Sequence, residues 1–287
     1  MPVSIDIISC ITDRFVELTA TEKRIAQFIL DDVQSAATLP IAQMARLTET
    51  SQASITRFAR AIGCKDVREL KVKLAQSLAV GQRFILDVPD LEGVQGIYET
   101  IINVLDINRR ALNPESLKKA VEWLNNSRQI LAIGMGGGST ICAQEVQFRL
   151  FRLGLPVVSQ SDGLLVRMMC SAVVPGDAVL ALSLGGYTPE IIESAAIARQ
   201  YGAKVIAITP AETPLAQTAD IVLPLIVREN DYIFKPSTSR YAMLAMVDVL
   251  ATELAMANKN QAKDRLRRIK LALNSHRGGV DRQPLGD

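Results

Sequence analysis

The feature that most constrains this fold is a regular alternation of short apolar runs with helical patterns between residues 129 and 257. The runs are apolar throughout rather than at every second position, as is typical of strands in a parallel sheet that helices cover on both faces. The sequence therefore predicts a doubly wound parallel five-stranded α/β/α domain. Its strands are expected at residues 129–133, 156–160, 178–183, 204–209 and 221–225.

Glycine-rich turns follow the first and third of these predicted strands. The first reads Gly134-Met-Gly-Gly-Gly-Ser-Thr140, the second reads Leu184-Gly-Gly-Tyr-Thr188, and each opens a helical pattern. Backbone N–H groups in such a turn, together with a helix N-terminus, face an anion favourably. Two such turns in one sheet predict a pocket for a phosphorylated small molecule. The alternative is that each is only the tight loop that an α/β sheet needs.

Residues 1–78 carry helical patterns throughout and are predicted to form a separate all-helical domain. Helix 51–62 has one inward stripe at the spacing i, i+3, i+4 and i+7, formed by Ile55, Phe58, Ala59 and Ile62. Its other side carries small polar and arginine side chains, and three residues connect it to a short helix that ends at Leu47. This is a helix-turn-helix arrangement, whose second helix fits the DNA major groove. A plain helical bundle with surface arginines is the alternative.

The charges of this region are segregated along the chain. Residues 43–76 hold seven basic and three acidic side chains, whereas residues 1–42 hold three basic and six acidic ones. On a chain with a net charge of only +2, a local basic patch favours a polyanion partner at one face. Gln and Arg can bond base edges, and lysines beyond the helix can hold phosphates. The predicted DNA-binding residues are Ser51, Gln52, Ser54, Thr56, Arg57, Arg60, Lys65 and Lys71.

Weak periodicity and four glycine or proline residues mark residues 79–97 as a linker between domain 1–78 and domain 98–287. The end of the second domain, residues 259–287, holds eight Lys or Arg residues against three Asp residues. A solvated helix face accounts for that tail as well as a binding role does.

The composition bears on several other classes of protein. No run approaches the ~18–20 apolar residues of a membrane span, and the N-terminus lacks the pattern of a secretory signal. The four cysteines are scattered without a Cys-x-x-Cys pair, which argues against a zinc site and a disulfide framework. We therefore expect a cytoplasmic protein with reduced thiols, no metal, no cofactor and no membrane partner.

These residues also carry a resemblance to a known family. The pattern Ser51-x-x-Ser-Ile-Thr-Arg57-Phe58-x-Arg60-x-Ile62-Gly63, followed by Glu69-Leu70-Lys71-x-x-Leu74, resembles the helix-turn-helix of RpiR-type bacterial transcription regulators. The alternating half resembles the sugar isomerase (SIS) domain that these regulators carry, so the resemblance covers residues 10–275. Segments 231–240, 246–251 and 266–274 are most similar to the HexR branch. That branch represses central carbon metabolism genes and responds to a phosphorylated keto-deoxy sugar acid.

The resemblance implies how a ligand is held. SIS domains bind phosphosugars through hydroxyls and backbone amides in turns of the form Gly-x-Gly-x-Ser and Ser-x-Ser-Gly-x-Thr. Glycine replaces one serine in each turn here, at Gly138 and Gly185, which removes a hydroxyl but keeps the amide. The segment before helix 238–257 is implied to close over the ligand, where Arg240 could clamp a carboxylate or phosphate. The predicted ligand-binding residues are Gly136, Gly138, Ser139, Thr140, Ser183, Gly185, Gly186, Thr188 and Arg240.

The expected function is that of a transcriptional regulator of carbohydrate metabolism genes, without enzyme activity. Its expected partners are double-stranded operator DNA, a phosphorylated sugar or sugar acid as effector, and further copies of itself in a homodimer or tetramer. The alternative is a phosphosugar isomerase with an accessory helical domain, a reaction that needs a base and an acid beside the substrate. The single histidine, His276, lies in the basic tail, and no pattern marks a glutamate as the base. No catalytic residue is therefore predicted.

Overall fold

The computed structural model describes residues 6–85, 93–227 and 237–276, which divide into two compact units. The first unit is helical and the second is built on a parallel sheet, so the predicted fold class is confirmed. Helices continue to Ile85 and begin again at Gly93, so that both ends of the predicted linker are helical. The boundaries of the two domains, residue by residue, stay a prediction.

The described part of the first unit contains six α-helices and one 3₁₀ turn. They are α1 (Ile7–Arg14), the 3₁₀ turn Phe15–Glu17, α2 (Ala20–Asp31), α3 (Val33–Thr38), α4 (Ile41–Leu47), α5 (Gln52–Ala61) and α6 (Val67–Ile85). Four of these helices begin at a side chain that accepts a hydrogen bond from a backbone amide of the first turn, which would otherwise lack a partner. The capping residues are Asp6, Thr19, Asp32 and Ser51.

The core of the first unit forms around α5. The stripe predicted from the spacing is buried, with Ile55, Phe58 and Ala59 fully enclosed and Ile62 only 3% exposed. It belongs to one cluster with apolar side chains of α2, α4 and α6, among them Ile25, Ile29, Met44, Leu70 and Leu74. Burying a side chain of this size stabilises a fold by about 1.5–3 kcal/mol. The stripe therefore fixes which side of α5 is left for solvent.

The second unit alternates strands with helices after two leading helices. Its elements are α7 (Gly93–Ala111), α8 (Pro114–Asn125), β1 (Ile130–Gly134), α9 (Gly137–Arg152), β2 (Val157–Gln160), α10 (Gly163–Ser171), β3 (Ala178–Leu182), α11 (Pro189–Gln200), β4 (Lys204–Thr209), α12 (Pro214–Thr218), β5 (Ile221–Pro224), α13 (Ser239–Ala257) and α14 (Lys259–His276). All strand pairs are parallel, and their order is β2-β1-β3-β4-β5.

Helices cover both faces of this sheet and define where a ligand can enter. One core joins α9 and α13 to the sheet, and a second core joins α10 and α11 to the opposite face. The helices that follow the neighbouring strands β1 and β3, which are α9 and α11, therefore lie on opposite faces of the sheet. In open α/β sheets, ligands bind outside the carboxyl ends of the strands at such a switch point. The two predicted glycine turns follow these same two strands.

Two further observations concern the cysteines and the helices as membrane segments. All four cysteines are free, and burial raises the pKa of Cys142 to about 11 and that of Cys170 to about 12. Both thiols are therefore protonated at neutral pH and weak nucleophiles.

Within the described ranges no single helix has the length and apolar character to cross a bilayer, although α13 and α14, bent by 110°, satisfy both conditions as a pair.

Candidate functional sites

The predicted helix-turn-helix consists of α4, α5 and the turn between them. The hydroxyl of Thr48 donates to the carbonyl of Met44 at 2.9 Å and lies 2.8 Å from the hydroxyl of Thr50. Glu49 adopts a left-handed backbone with φ of 51°, which reverses the chain after α4. Ser51 then caps α5, because its Oγ accepts from the Ser54 amide at 3.1 Å. These contacts set the start of the second helix.

The side of α5 opposite its core carries the predicted DNA-contacting groups. Gln52, Arg57 and Arg60 are exposed, and Lys65 is exposed just beyond the helix. Thr56 is half-buried, and its hydroxyl donates to the carbonyl of Gln52 at 3.0 Å. An amide and two guanidinium groups are the donors that recognise adenine and guanine edges in the major groove. The arrangement suits base recognition from one helix face.

Ser54 does not lie on that outer face, so its predicted orientation was wrong. It is only 9% exposed, because it stands one helical turn before Phe58 and thus on the buried side. Its hydroxyl lies 2.9 Å from that of Ser51 and accepts from Arg57 Nη2 at 3.0 Å. Ser54 therefore restrains the Arg57 guanidinium.

Lys71 is also engaged within the first unit. The side chain is half-buried, and its Nζ donates to the carbonyl of Leu39, the residue that ends α3. A cation at a helix C-terminus satisfies carbonyl groups that have no intrahelical donor. Lys71 thus joins α6 to α3, and its contact with a DNA phosphate stays a prediction.

Two residues of α1 support the end of α5, and sequence reasoning missed both. Arg14 Nη1 donates to the carbonyl of Ala61 at 2.6 Å, and the Cys10 thiol lies 3.6 Å from the carbonyl of Ile62. A positive charge is favourable at the C-terminus of α5, where the helix dipole is negative. The contacts join residues 47 and 52 positions apart, and no local pattern in the sequence indicates such pairs.

The first glycine turn, between β1 and α9, requires glycine for steric reasons. A Cβ on Gly134 would lie 2.5 Å from the carbonyl oxygen of Ser139, and Gly136 has a φ of +84°. Gly136 begins α9 without a side-chain cap, and the first turn of α9 holds no acidic residue. The positive end of the helix dipole is therefore not offset by a carboxylate of that turn. This end of α9 suits an anionic ligand.

The second glycine turn, between β3 and α11, is closed by its own serine. Ser183 is 3% exposed, and its Oγ accepts from the Gly186 amide at 3.0 Å. Gly186 has a φ of +73°, and a Cβ there would lie 2.4 Å from Thr213 Oγ1. Gly185, in contrast, is exposed, and no atom within 4 Å would meet a Cβ on it. Thr188 begins α11 and is half-buried.

Ser139 ties the two turns together. It is 4% exposed, and its Oγ accepts from the Leu184 amide at 3.2 Å. Thr140 Oγ1 makes a longer contact, of 3.4 Å, with the carbonyl of Gly134. Ser139 and Ser183 each accept a hydrogen bond from a backbone amide. Each hydroxyl can still donate its O–H to a ligand. Their first role in this structure is to shape the turns.

Gly138, Leu184 and Arg240 come together where the turns meet the start of α13. A Cβ on Gly138 would lie 2.7 Å from Leu184 Cδ1 and 3.5 Å from Arg240 Cβ. Leu184 thus fills the space that a serine side chain at position 138 would need. The Arg240 guanidinium lies 5.0 Å from the centre of the Tyr241 ring and is half-buried. Leu184 was missed because it occupies a variable position of the turn pattern.

Glu190 stands beside the first turn, although it belongs to α11. Its side chain and that of Met135, in the first turn, both lie against Gly163, the first residue of α10. A Cβ on Gly163 would lie 3.3 Å from Glu190 Cγ and 3.4 Å from Met135 Cε. The carboxylate is exposed and occupies the first turn of α11, where a negative charge favours the helix dipole. Glu190 is therefore an acidic group close to the proposed pocket.

Comparison with protein families matches both units. Residues 5–81 match the helix-turn-helix domain of the rpiR family, and residues 123–253 match the SIS domain. These ranges contain α4 and α5 in the first unit and both glycine turns in the second.

Similar proteins cover almost the whole chain. The transcriptional regulator HexR of Pseudomonas aeruginosa is 35% identical over 276 residues, covering 94% of this chain and 96% of the relative. HexR of Escherichia coli is 34% identical over 272 residues, covering 93% and 94%. The solved structure of NanR from Vibrio vulnificus, complexed with ManNAc-6P, superposes with a TM-score of 0.60 at 24% identity, covering 93% of this chain and 97% of that one. The chain belongs to the RpiR family of transcriptional regulators, with a helix-turn-helix domain followed by a SIS domain.

Proposed function

We propose that this protein is a DNA-binding transcriptional regulator of carbohydrate metabolism genes whose DNA affinity is set by a phosphorylated sugar or sugar acid. The observation that carries the proposal is the exposed face of α5, with Gln52, Arg57 and Arg60 on a helix that starts at a defined cap. Membership of a family of regulators supports the same assignment. Such a protein would act in the cytoplasm, where chromosomal DNA and phosphorylated metabolites meet.

The effector site lies between the two glycine turns at the carboxyl ends of β1 and β3. Backbone amides at the start of α9 and the amide of Gly185 bind the anionic group of the effector. Arg240, next to Gly138, pairs with a carboxylate or a phosphate, which suits a ligand with two acidic groups. Ser139, Thr140, Ser183 and Thr188 donate hydroxyl hydrogen bonds where the ligand reaches them.

Control of DNA binding by the effector requires two states of the assembly. We propose a homodimer or tetramer in which two copies of α5 meet half-sites about one helical turn, ~34 Å, apart. The effector shifts the equilibrium only if it binds the two states with different affinities. One state presents the α5 helices at a spacing that matches the operator, and the other does not.

The isomerase alternative rests on Glu190, a carboxylate beside the first turn. Aldose–ketose isomerisation also requires an acid for ring opening. His276, the single histidine of the chain, is exposed at the end of α14 and lies outside the glycine turns. The regulator is therefore the proposed function, and the protein is proposed to bind its effector without converting it.

The test is a mobility-shift titration of promoter fragments from sugar-acid catabolic genes, against a 100-fold excess of random DNA of equal length, with and without phosphorylated sugars and sugar acids. The proposal is supported if the protein retains one fragment in the presence of the competitor, and if one metabolite then weakens or strengthens that binding. Absence of preference under every condition contradicts it. Chromatographic analysis of the same mixtures detects an isomerised product, which would favour the enzyme.

A further inference from the structure

A strip of cations on α14 lies outside both sites described above. This helix, Lys259–His276, contains six Lys or Arg residues and a single Asp. Lys259, Lys263 and Arg267 follow one another at i, i+4 and i+8, and all three are exposed. Residues at this spacing share one helix face, about 6 Å apart along the axis. We call these three residues the α14 strip.

The side of α14 that packs on the second unit fixes the orientation of the strip. Ala262 is 4% exposed, and Leu266 and Ile269 are half-buried on the inward side. Arg265 donates to the carbonyl of Leu153 at the end of α9, and its guanidinium occupies the space where a Cβ on Gly154 would stand. The helix is therefore docked on the second unit, and the strip lies on an adjoining, exposed face of the helix.

Several arginines elsewhere in the second unit form ion pairs. Arg109 and Arg110 share Asp106, Arg128 pairs with Asp177, and Arg199 pairs with Asp220. On α14 the corresponding contact is long, with 3.8 Å between Arg267 and Asp264, both well exposed. Among the described ranges no ion pair includes Lys259 or Lys263. Evenly spaced, exposed cations, of which only Arg267 has an ion-pair contact among the described residues, suit a polyanion with regularly spaced charges.

We propose that the α14 strip binds the phosphate backbone of double-stranded DNA, as a second contact that is independent of base sequence. This inference rests on the proposed function, because a contact with the phosphate backbone serves a protein that already binds duplex DNA. A lipid surface fits less well, since an amphipathic helix at a membrane inserts its apolar side, and here that side is packed on the protein. Phosphate contacts add affinity and register without adding base preference.

Salt dependence tests the proposal, because each phosphate contact releases counterions. We compare the full-length wild type with Lys263→Gln/Arg267→Gln and with the control Lys118→Gln/Lys119→Gln, which removes two exposed charges from α8. Dissociation constants for operator and random duplexes are measured between 50 and 300 mM KCl. Over this range the Debye length falls roughly 2.4-fold. The α14 variant should lower the slope of log K against log salt by about 2 for each strip that contacts the duplex, on both duplexes. The control should retain the wild-type slope.

Two results would overturn the inference: an α14 variant with the wild-type slope, or a control that loses as much slope as the α14 variant. If substitution of both residues prevents folding, the single variant Lys263→Gln should lose about one unit of slope for each strip that contacts the duplex, and Lys263→Arg should keep the slope. Binding to anionic vesicles that depends on Lys263, with an unchanged DNA slope, would assign the strip to membranes instead. The proposed function fails separately, if the wild type itself does not prefer operator over random DNA.

Discussion

The two candidate sites are built from different parts of the chain. On α5 the proposed DNA-binding groups are long side chains on the side opposite a buried stripe, and Arg57 and Arg60 are exposed. Between the glycine turns the groups proposed to bind a ligand are largely backbone amides, and Ser139 and Ser183 are 4% and 3% exposed. A site made of side chains can lose one of them and stay folded. A site made of backbone cannot accept a Cβ in the wrong place.

The largest effect that this comparison predicts is at Gly186. Gly186→Ala would place a Cβ at a φ of +73°, 2.4 Å from Thr213 Oγ1 and 2.7 Å from Thr209 Oγ1. Backbone strain and overpacking together should cost on the order of 3 kcal/mol of the free energy of unfolding of the second unit. Urea unfolding followed by the fluorescence of Trp123, the single tryptophan, measures this change because Trp123 lies in α8.

Gly185→Ala is the matched control for that substitution. A Cβ on Gly185 meets no atom within 4 Å, so its effect on stability should be within about 0.5 kcal/mol. Effector binding by this variant should nevertheless weaken, because the new methyl group stands where a ligand approaches the exposed amide. Equal losses of stability in the two variants would contradict the assigned packing of the second turn.

The same comparison explains what could be predicted from the sequence. The stripe of α5 follows the helical period of 3.6 residues, and the strands of the sheet are continuous apolar runs. The structure confirms both predictions. Ser54 was misplaced because it lies at the edge of the buried stripe, one turn before Phe58, where its hydroxyl has partners in Ser51 and Arg57. Leu184 and Gly138 are 46 positions apart, and only the parallel pairing of β1 and β3 brings them together.

Arg57 should give the next largest effect, on DNA binding rather than on stability. Arg57→Ala should weaken operator binding by about 1–3 kcal/mol, because a bidentate contact to a guanine edge would be lost. Arg57→Lys keeps the charge but not the paired donors, so it should recover binding to random DNA and little of the preference for operator. Fluorescence anisotropy with both duplexes separates the two effects. If neither variant changes operator affinity, α5 is not the recognition helix.

Gly138 and Leu184 should show a smaller, coupled effect. Gly138→Ser places a Cβ 2.7 Å from Leu184 Cδ1, the end of a flexible side chain that can move, so it should cost only about 1 kcal/mol of stability. In the Leu184→Ala background the same substitution should cost almost nothing, which gives a coupling energy of about 1 kcal/mol. Additive effects in a double-mutant cycle of urea unfolding would show that Leu184 does not exclude the serine.

The smallest effect tests how much one charged group, Glu22, contributes to the stability of the first unit. Hydrogen bonds from the Thr19 hydroxyl and amide hold the pKa of Glu22 below its ordinary value of 4.5, and the charge of Arg57 adds to this. A lowered carboxyl pKa stabilises the fold above the ordinary pKa, and the gain is lost as pH falls through the pKa of the folded state. Glu22→Gln retains an acceptor for the capping box, so it should lose only about 0.5 kcal/mol at pH 7. At pH 3 the difference from wild type in urea unfolding should be smaller. A difference that stays constant between the two pH values would contradict the lowered pKa of Glu22, and would mean that the first unit owes no stability to this charge.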